Sequence, residues 1–97
     1  MNAARGEASV NVAGVPRRLC LTLGALAEIE AAFGCVRISE LEARLRMLSA
    51  ADLVTVLAAL LRGGGETDVA AAVTRAEIAP GEAARAVADA FRLGLAG

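Results

Sequence analysis

The segment that decides the fold is residues 19–34, LCLTLGALAEIEAAFG, which begins with the alternation of a strand and ends with the spacing of a helix. Thr22 stands at the junction, where its hydroxyl can accept a backbone hydrogen bond as a helix N-cap. Gly34 can end the helix, because glycine readily adopts the left-handed conformation that follows a helix C-terminus. The pattern therefore predicts a strand that passes directly into a helix, with Leu23 and Leu26 on its apolar face.

The residues before this junction predict a β-hairpin. Apolar and polar side chains alternate over residues 7–13 and again over residues 15–21, a period of two that is typical of half-buried strands. Ala13-Gly14 can form the tight turn between them, because glycine tolerates a positive φ. A lone hairpin is marginally stable in water, so we expect it to pack on helices or on another chain. Residues 1–6 are expected to be a disordered N-terminus.

The rest of the chain predicts short helices separated by capping residues and glycines. Ser39 with Glu42, and Ser49 with Asp52, match the capping box, in which two side chains bond each other's backbone N–H groups. The helix after Ser49 has the widest apolar stripe and is expected to be the main core helix. Its predicted core residues are Leu53, Val56, Leu57, Leu60 and Leu61. Pro80 suits the first position of the last helix.

These elements predict an α+β fold that is mostly α, with an N-terminal β-hairpin followed by about five short helices in a small bundle. A chain of 97 residues is long enough for one domain, which we place at residues 7–97. Alanine, the best helix former, is abundant and buries little area, so the core depends on Leu, Val, Ile and two Phe.

The composition argues against an enzyme. The sequence has no histidine, which removes the most common general base and the most common metal ligand. The serines and the two cysteines therefore lack a base to activate them, and the carboxylates are scattered. We expect no catalytic, cofactor-binding or metal-binding residues. Cys20 and Cys35 lack CxxC spacing and are expected to be reduced thiols rather than a disulfide.

Charge and hydropathy argue against nucleic acid and membrane partners. The formal net charge is −1, and acids and bases are interspersed along the chain. The most apolar run, LVTVLAALL, is about half the length that a bilayer span requires. No apolar segment of a secretory signal stands near the N-terminus, so we expect a cytoplasmic protein. The run RGGGETD at residues 62–68 lacks the lysine and the preceding strand of a phosphate loop, and is predicted to connect two helices.

Apolar side chains near the helix ends are the remaining candidates for function, because exposed apolar patches mark partner sites on small domains. The candidate partner-contact residues are Arg17 and Arg18 in the hairpin, and Val87, Phe91, Leu93 and Leu95 in the last helix. The alternatives are that the arginines are solvated guards of an edge strand and that the apolar residues complete the core.

The order of these features resembles the GTA-gp10 family of gene transfer agent and phage tail proteins, which is grouped with phage tail assembly chaperones. The resemblance lies in Leu21–Leu26 followed by Glu28, and in the run Leu57–Gly65 that ends in glycines. It extends over about residues 7–92. A tyrosine or tryptophan of some family members is missing from this chain.

The resemblance implies a tail assembly chaperone that binds the tape measure protein, keeps its apolar helices soluble, and gives way as tail tube subunits polymerise. Because the family is also labelled as tail tube, the alternatives are a structural tube or neck component, or an unrelated partner-binding adaptor. The implied partners are the tape measure protein, the tail tube protein or both, with homo-oligomerisation left open. The implied location is the cytoplasm of a bacterial host, with association with the virion as the alternative.

Overall fold

The computed structural model describes residues 7–95, apart from the side chains of Ile38 and Glu42. The elements are β1 (Glu7–Val12), β2 (Val15–Cys20), α1 (Leu23–Phe33), α2 (Ile38–Leu45), α3 (Ala50–Gly63), α4 (Thr67–Ala71), a 3₁₀ turn (Val73–Arg75) and α5 (Pro80–Leu95). This arrangement confirms the predicted hairpin and five helices of a mostly α, α+β fold. The predicted disordered segment, residues 1–6, lies outside the described residues.

The hairpin turn consists of two residues with positive φ. The strands pair in antiparallel register from Glu7 with Cys20 to Val12 with Val15. Ala13 has a φ of 52° and Gly14 a φ of 81°, as a two-residue turn requires when it follows the twist of its strands. The backbone N–H of Ala13 donates to the carbonyl oxygen of Glu77 at 2.9 Å, which links the turn to the loop before α5.

The strand-to-helix junction forms as predicted. Thr22 is the N-cap of α1, and its Oγ1 accepts a hydrogen bond from the backbone N–H of Ala25 at 3.0 Å. Gly34 follows the helix with a φ of 68°. The prediction for Leu23 is wrong, because its side chain is 83% exposed. Leu23 is the first residue of α1, and the face of the helix that meets the core carries Leu26 instead.

The core lies between the sheet and the helices, with α3 in the middle. α3 contacts β2, α1, α4 and α5, and α5 covers β1. The predicted apolar stripe of α3 is confirmed: four of its five residues are buried, and only Leu53 is half-buried. Ile29 of α1 and Leu19 of β2 are completely buried as well. Burying a side chain of this size stabilises the fold by about 1.5–3 kcal/mol, so this region holds the molecule together.

The glycines at the end of α3 allow this helix to pack closely against the sheet. A methyl group added at Gly63 would overlap the carbonyl oxygen of Cys20, and one added at Gly64 would overlap the carbonyl oxygen of Arg18. The C-terminus of α3 therefore lies directly against the outer edge of β2, at a distance that only glycine permits. Glu66, just beyond, accepts a hydrogen bond from the backbone N–H of Arg18 at 3.1 Å.

α2 differs from the prediction at its start. It begins at Ile38, so Ser39 lies inside the first turn and is not the N-cap. The orphan N–H groups of Val36 and Arg37 donate instead to Oε1 of Glu40, at 2.7 and 3.3 Å. The carboxylate replaces the predicted hydroxyl because it reaches back from the third helical position. α2 ends at Leu45, so Leu48 belongs to the loop before α3.

Candidate protein-binding groove

An apolar groove of about 460 Å³ lies between the end of α2, the start of α3 and the middle of α5. Its volume is within the range of roughly 300–1,000 Å³ that is typical of binding sites. The lining residues are Leu45, Leu48, Ser49, Ala50, Leu53, Pro80, Ala84, Val87, Ala88 and Phe91. Ser49 is the only polar residue among them, and its hydroxyl is engaged in capping α3.

Contacts at the start of α5 position one wall of the groove. Pro80 is the first residue of the helix, where its missing N–H costs no hydrogen bond. Within the same first turn, Oε2 of Glu82 accepts a hydrogen bond from the backbone N–H of Asn11 at 2.8 Å and so attaches α5 to the edge of β1. The side of α5 that faces the core is buried, whereas Ala84 and Ala88, one turn apart, are exposed and line the groove.

Two interactions of α2 position the opposite wall. Leu41 is only 1% exposed and anchors α2 in the core. Arg44 reaches both neighbouring helices, because it pairs with Asp52 of α3 at 3.4 Å and lies 4.7 Å from the ring centre of Phe33 of α1. Ser49 and Asp52 form the predicted capping box of α3, with Oγ of Ser49 accepting from the N–H of Asp52 at 3.1 Å.

The groove continues at both ends. Towards the C-terminus of α5 it shares Leu45 and Phe91 with a cavity of about 340 Å³, whose other lining residues are Arg46, Arg92 and Leu95. Towards the 3₁₀ turn it shares Ala50, Leu53 and Pro80 with a cavity of about 210 Å³, whose other lining residues are Val54, Leu57, Val73, Thr74, Ala76, Ile78 and Ala83. We call these three connected cavities the α5 groove.

Two charged residues among the described side chains line the α5 groove, and both are arginines. Arg46 makes no side-chain hydrogen bond or ion pair with the described residues, and Arg92 lies 3.6 Å from Asp89. That aspartate is also engaged at 2.8 Å by Arg85. Among the described side chains, no carboxylate lines any of the three cavities. The end of the groove near Leu95 is therefore positively charged.

The sequence-predicted contact residues of α5 fall into three environments. Val87 and Phe91 are 4% and 7% exposed, so they belong to the core and present only a small surface to the groove. Leu95 is 43% exposed and lines the basic end. Leu93 is half-buried and lines none of the three cavities. A role for these four residues in binding a partner stays a prediction.

Arg17 and Arg18 do not join the α5 groove. They line a separate hollow of about 200 Å³, together with Ala8, Ser9, Pro16 and Glu66. Arg17 pairs with Glu66 at 3.5 Å, and the backbone N–H of Arg18 donates to the same carboxylate. The structure thus places the two arginines in one site and three of the four predicted α5 residues in another, and only the α5 groove is predominantly apolar.

Sequence reasoning missed most of the residues that form the α5 groove. Leu45 and Leu48 line the groove from two different segments, the end of α2 and the loop before α3. Ala84 and Ala88 carried one usable signal, since residues spaced by four on a helix share a face and here both are small. That signal could have identified a wall of small residues but not what lies opposite.

The described part of the chain offers little other chemistry. No three Cys, Asp or Glu side chains among the described residues come together in a way that could hold a metal ion. None of the described helices is both long enough and apolar enough to cross a bilayer. Cys20 and Cys35 are half-buried and are not joined in a disulfide.

Comparison with models of protein families identifies a family for the chain. A family model described as phage tail tube protein, GTA-gp10, matches residues 5–97, which is almost the whole chain. No curated protein and no solved structure matches the sequence.

Proposed function

The chain belongs to the GTA-gp10 family of phage tail tube proteins, and from that premise we propose that it works in the tail by binding other tail proteins through the α5 groove. The observation that supports this proposal is the groove itself, an open apolar channel between three helices. Grooves of this kind accept the apolar face of an amphipathic helix. The proposed function requires no bond-making chemistry, and we propose that the protein is not an enzyme.

The description of the family favours a structural component of the tail tube over the assembly chaperone that we expected from the sequence. In a structural role the chain is retained in the finished particle, in a fixed ratio to other tail proteins. Its partners are then neighbouring tail proteins or further copies of itself, and its place is the virion.

A second candidate is an assembly chaperone, which two observations favour. The described sheet has two strands, and the outer edge of β2 is covered by Gly63, Gly64 and Glu66. On the other edge, Asn11 of β1 is bonded to Glu82. Strand pairing between subunits needs free edges, so these contacts disfavour a tube that is closed by this hairpin. A chaperone would hold apolar helices of the tape measure protein in the groove and release them within the host cell.

Quantitative mass spectrometry of purified particles, combined with deletion of the gene, separates the two candidates. A fixed stoichiometric amount in the particle identifies a structural component. Near absence from the particle, together with loss of tails in the deletion strain, identifies a chaperone. Normal tails in the deletion strain would contradict both roles, and re-expression of the intact chain controls for effects on neighbouring genes.

A further inference from the structure

We propose that the basic end of the α5 groove selects its occupant: an amphipathic helix of another tail protein, with carboxylates at one end of its apolar face. This inference rests on the proposed function and adds the chemistry of the partner. Leucine, valine and alanine side chains of the groove receive the apolar face, while Arg46 and Arg92 receive the carboxylates.

The walls of the groove suit a helix. Ala84 and Ala88 are exposed one turn apart on α5 and carry no side chain beyond the β-carbon, so the backbone of a docked helix can approach closely. Leu48 and Leu53 on the opposite side are half-buried and retain apolar surface for its larger side chains. Residues spaced by three and four on the partner would fill the channel between these walls.

The charges at the rim are unbalanced in a way that favours an acidic partner. Arg46 has no ion pair with the described residues, and Arg92 shares Asp89 with Arg85. Asp52, near the other wall, is paired with Arg44. Carboxylates of a docked helix would complete these interactions, whereas lysines in the same place would be repelled.

A second copy of this chain is a poor occupant. The exposed large apolar side chains of the described residues are single residues on separate elements: Val15, Leu23, Val36, Met47 and Leu95. No described helix therefore presents an exposed stripe of large apolar side chains that could enter the groove of a second molecule. The helix that fits must come from a different protein.

Two designed fluorescein-labelled peptides test the proposal with the full-length protein. Both have the same helical apolar face of leucine and alanine, and they differ in carrying glutamates or lysines in the last turn. By fluorescence anisotropy at low salt, we expect the glutamate peptide to bind about tenfold more tightly, as two exposed ion pairs would provide. Raising the salt concentration should reduce the difference.

Variants of the protein assign the preference to the basic end. Arg46→Glu together with Arg92→Glu should reverse the preference, whereas Arg37→Glu, an exposed change outside the groove, should leave it unchanged. Ala88→Glu should weaken binding of both peptides by at least about tenfold, because it places a larger charged side chain on the apolar wall. All four positions are exposed, and circular dichroism checks that the variants fold.

Equal affinity for both peptides, or no binding of either one, would overturn the proposal. So would sedimentation that shows a dimer which Ala88→Glu dissociates, because a second copy would then occupy the groove. None of these results depends on the proposed function. That function fails if the deletion strain or an Ala88→Glu strain makes normal tails, whereas equal affinity for the two peptides overturns only the preference for an acidic helix.

Discussion

The N-terminal and C-terminal halves of α3 are both rich in alanine, leucine and valine, but they differ in how far the rest of the fold buries them. In the C-terminal half, residues from Val56 to Leu61 are all buried, and Gly63 and Gly64 meet the backbone of β2. In the N-terminal half, Ala50 is exposed and Leu53 is only half-buried, and both line the α5 groove. The same residue types thus complete a core at one end and leave an apolar surface open at the other.

Within α3, the residues that stabilise the fold are therefore different from the residues that are available to bind a partner. The C-terminal half, which we call the closed half, packs against the sheet and pairs with α1. The N-terminal half, which we call the open half, faces the end of α2, the 3₁₀ turn and α5 across the groove. Apolar surface that remains exposed after folding contributes no hydrophobic stabilisation to the fold, and it is available to a partner. Substitutions should therefore affect folding in the closed half and binding in the open half.

Leucine truncations on the two halves provide the largest contrast. Leu60→Ala should lower the free energy of unfolding by about 3–4 kcal/mol, because it leaves a cavity among completely buried side chains. Leu53→Ala should lower it by only about 1 kcal/mol, because the side chain is half-exposed. Urea denaturation followed by circular dichroism measures both values, and equal losses would contradict the division of α3.

Glycine substitutions test how closely α3 approaches the sheet. Gly64→Ala should destabilise the fold by roughly 3 kcal/mol, because the new methyl group overlaps the backbone of β2. Gly81→Ala in α5 is the matched control, since nothing lies within 4 Å of its added methyl group. The control should be neutral or stabilising by up to about 1 kcal/mol, because alanine favours the helix. Thermal unfolding that shows no difference between the two would exclude the close contact.

The attachment of α5 to the hairpin should make a smaller contribution. Glu82→Ala removes the acceptor for the backbone N–H of Asn11 and a negative charge from the first turn of α5. We expect Glu82→Ala to lower the free energy of unfolding by about 1 kcal/mol. Glu82→Gln should keep most of this stability, because its amide oxygen can still accept the hydrogen bond. Hydrogen exchange at the Asn11 amide is the direct measurement, and unchanged protection in Glu82→Ala would contradict this contact.

A surface ion pair should contribute least to the free energy of unfolding. Arg62 of α3 and Glu28 of α1 pair at 2.5 Å, but both side chains are more than 40% exposed. Exposed pairs contribute about 0–1 kcal/mol, so Glu28→Gln should change the free energy of unfolding by less than about 0.5 kcal/mol. A loss comparable with that of Leu60→Ala in the same denaturation assay would show that the account of the core is incomplete.

The sequence predicted what depends on local spacing. The hairpin, the Thr22 cap, the Gly34 stop and the buried stripe of α3 follow from periods of two and 3.6 residues and from capping chemistry. The family was also recognisable from the order of these features. Local patterns misplaced Leu23 because the start of a helix permits more than one orientation relative to the core.

What the sequence did not predict depends on long-range packing. The groove is formed by α2, α3 and α5, and no local pattern shows that Leu45, Leu53 and Ala88 lie around one channel. The role of Gly63 and Gly64 likewise depends on a strand more than forty residues earlier in the chain. Periodicity identifies which apolar side chains share a face of a helix or strand, but it does not reveal which of those faces remain uncovered by the rest of the fold.

NMR of alanine methyl groups in the full-length protein tests the central claim directly, with purified tail proteins from the same particle as the titrants. If the chain acts through the α5 groove, the signals of Ala50, Ala84 and Ala88, which line it, should shift on binding. The signals of Ala27 and Ala31, which are exposed on α1, should stay in place. Shifts confined to α1, or no shift with any tail protein, would contradict the claim that this chain acts through the α5 groove.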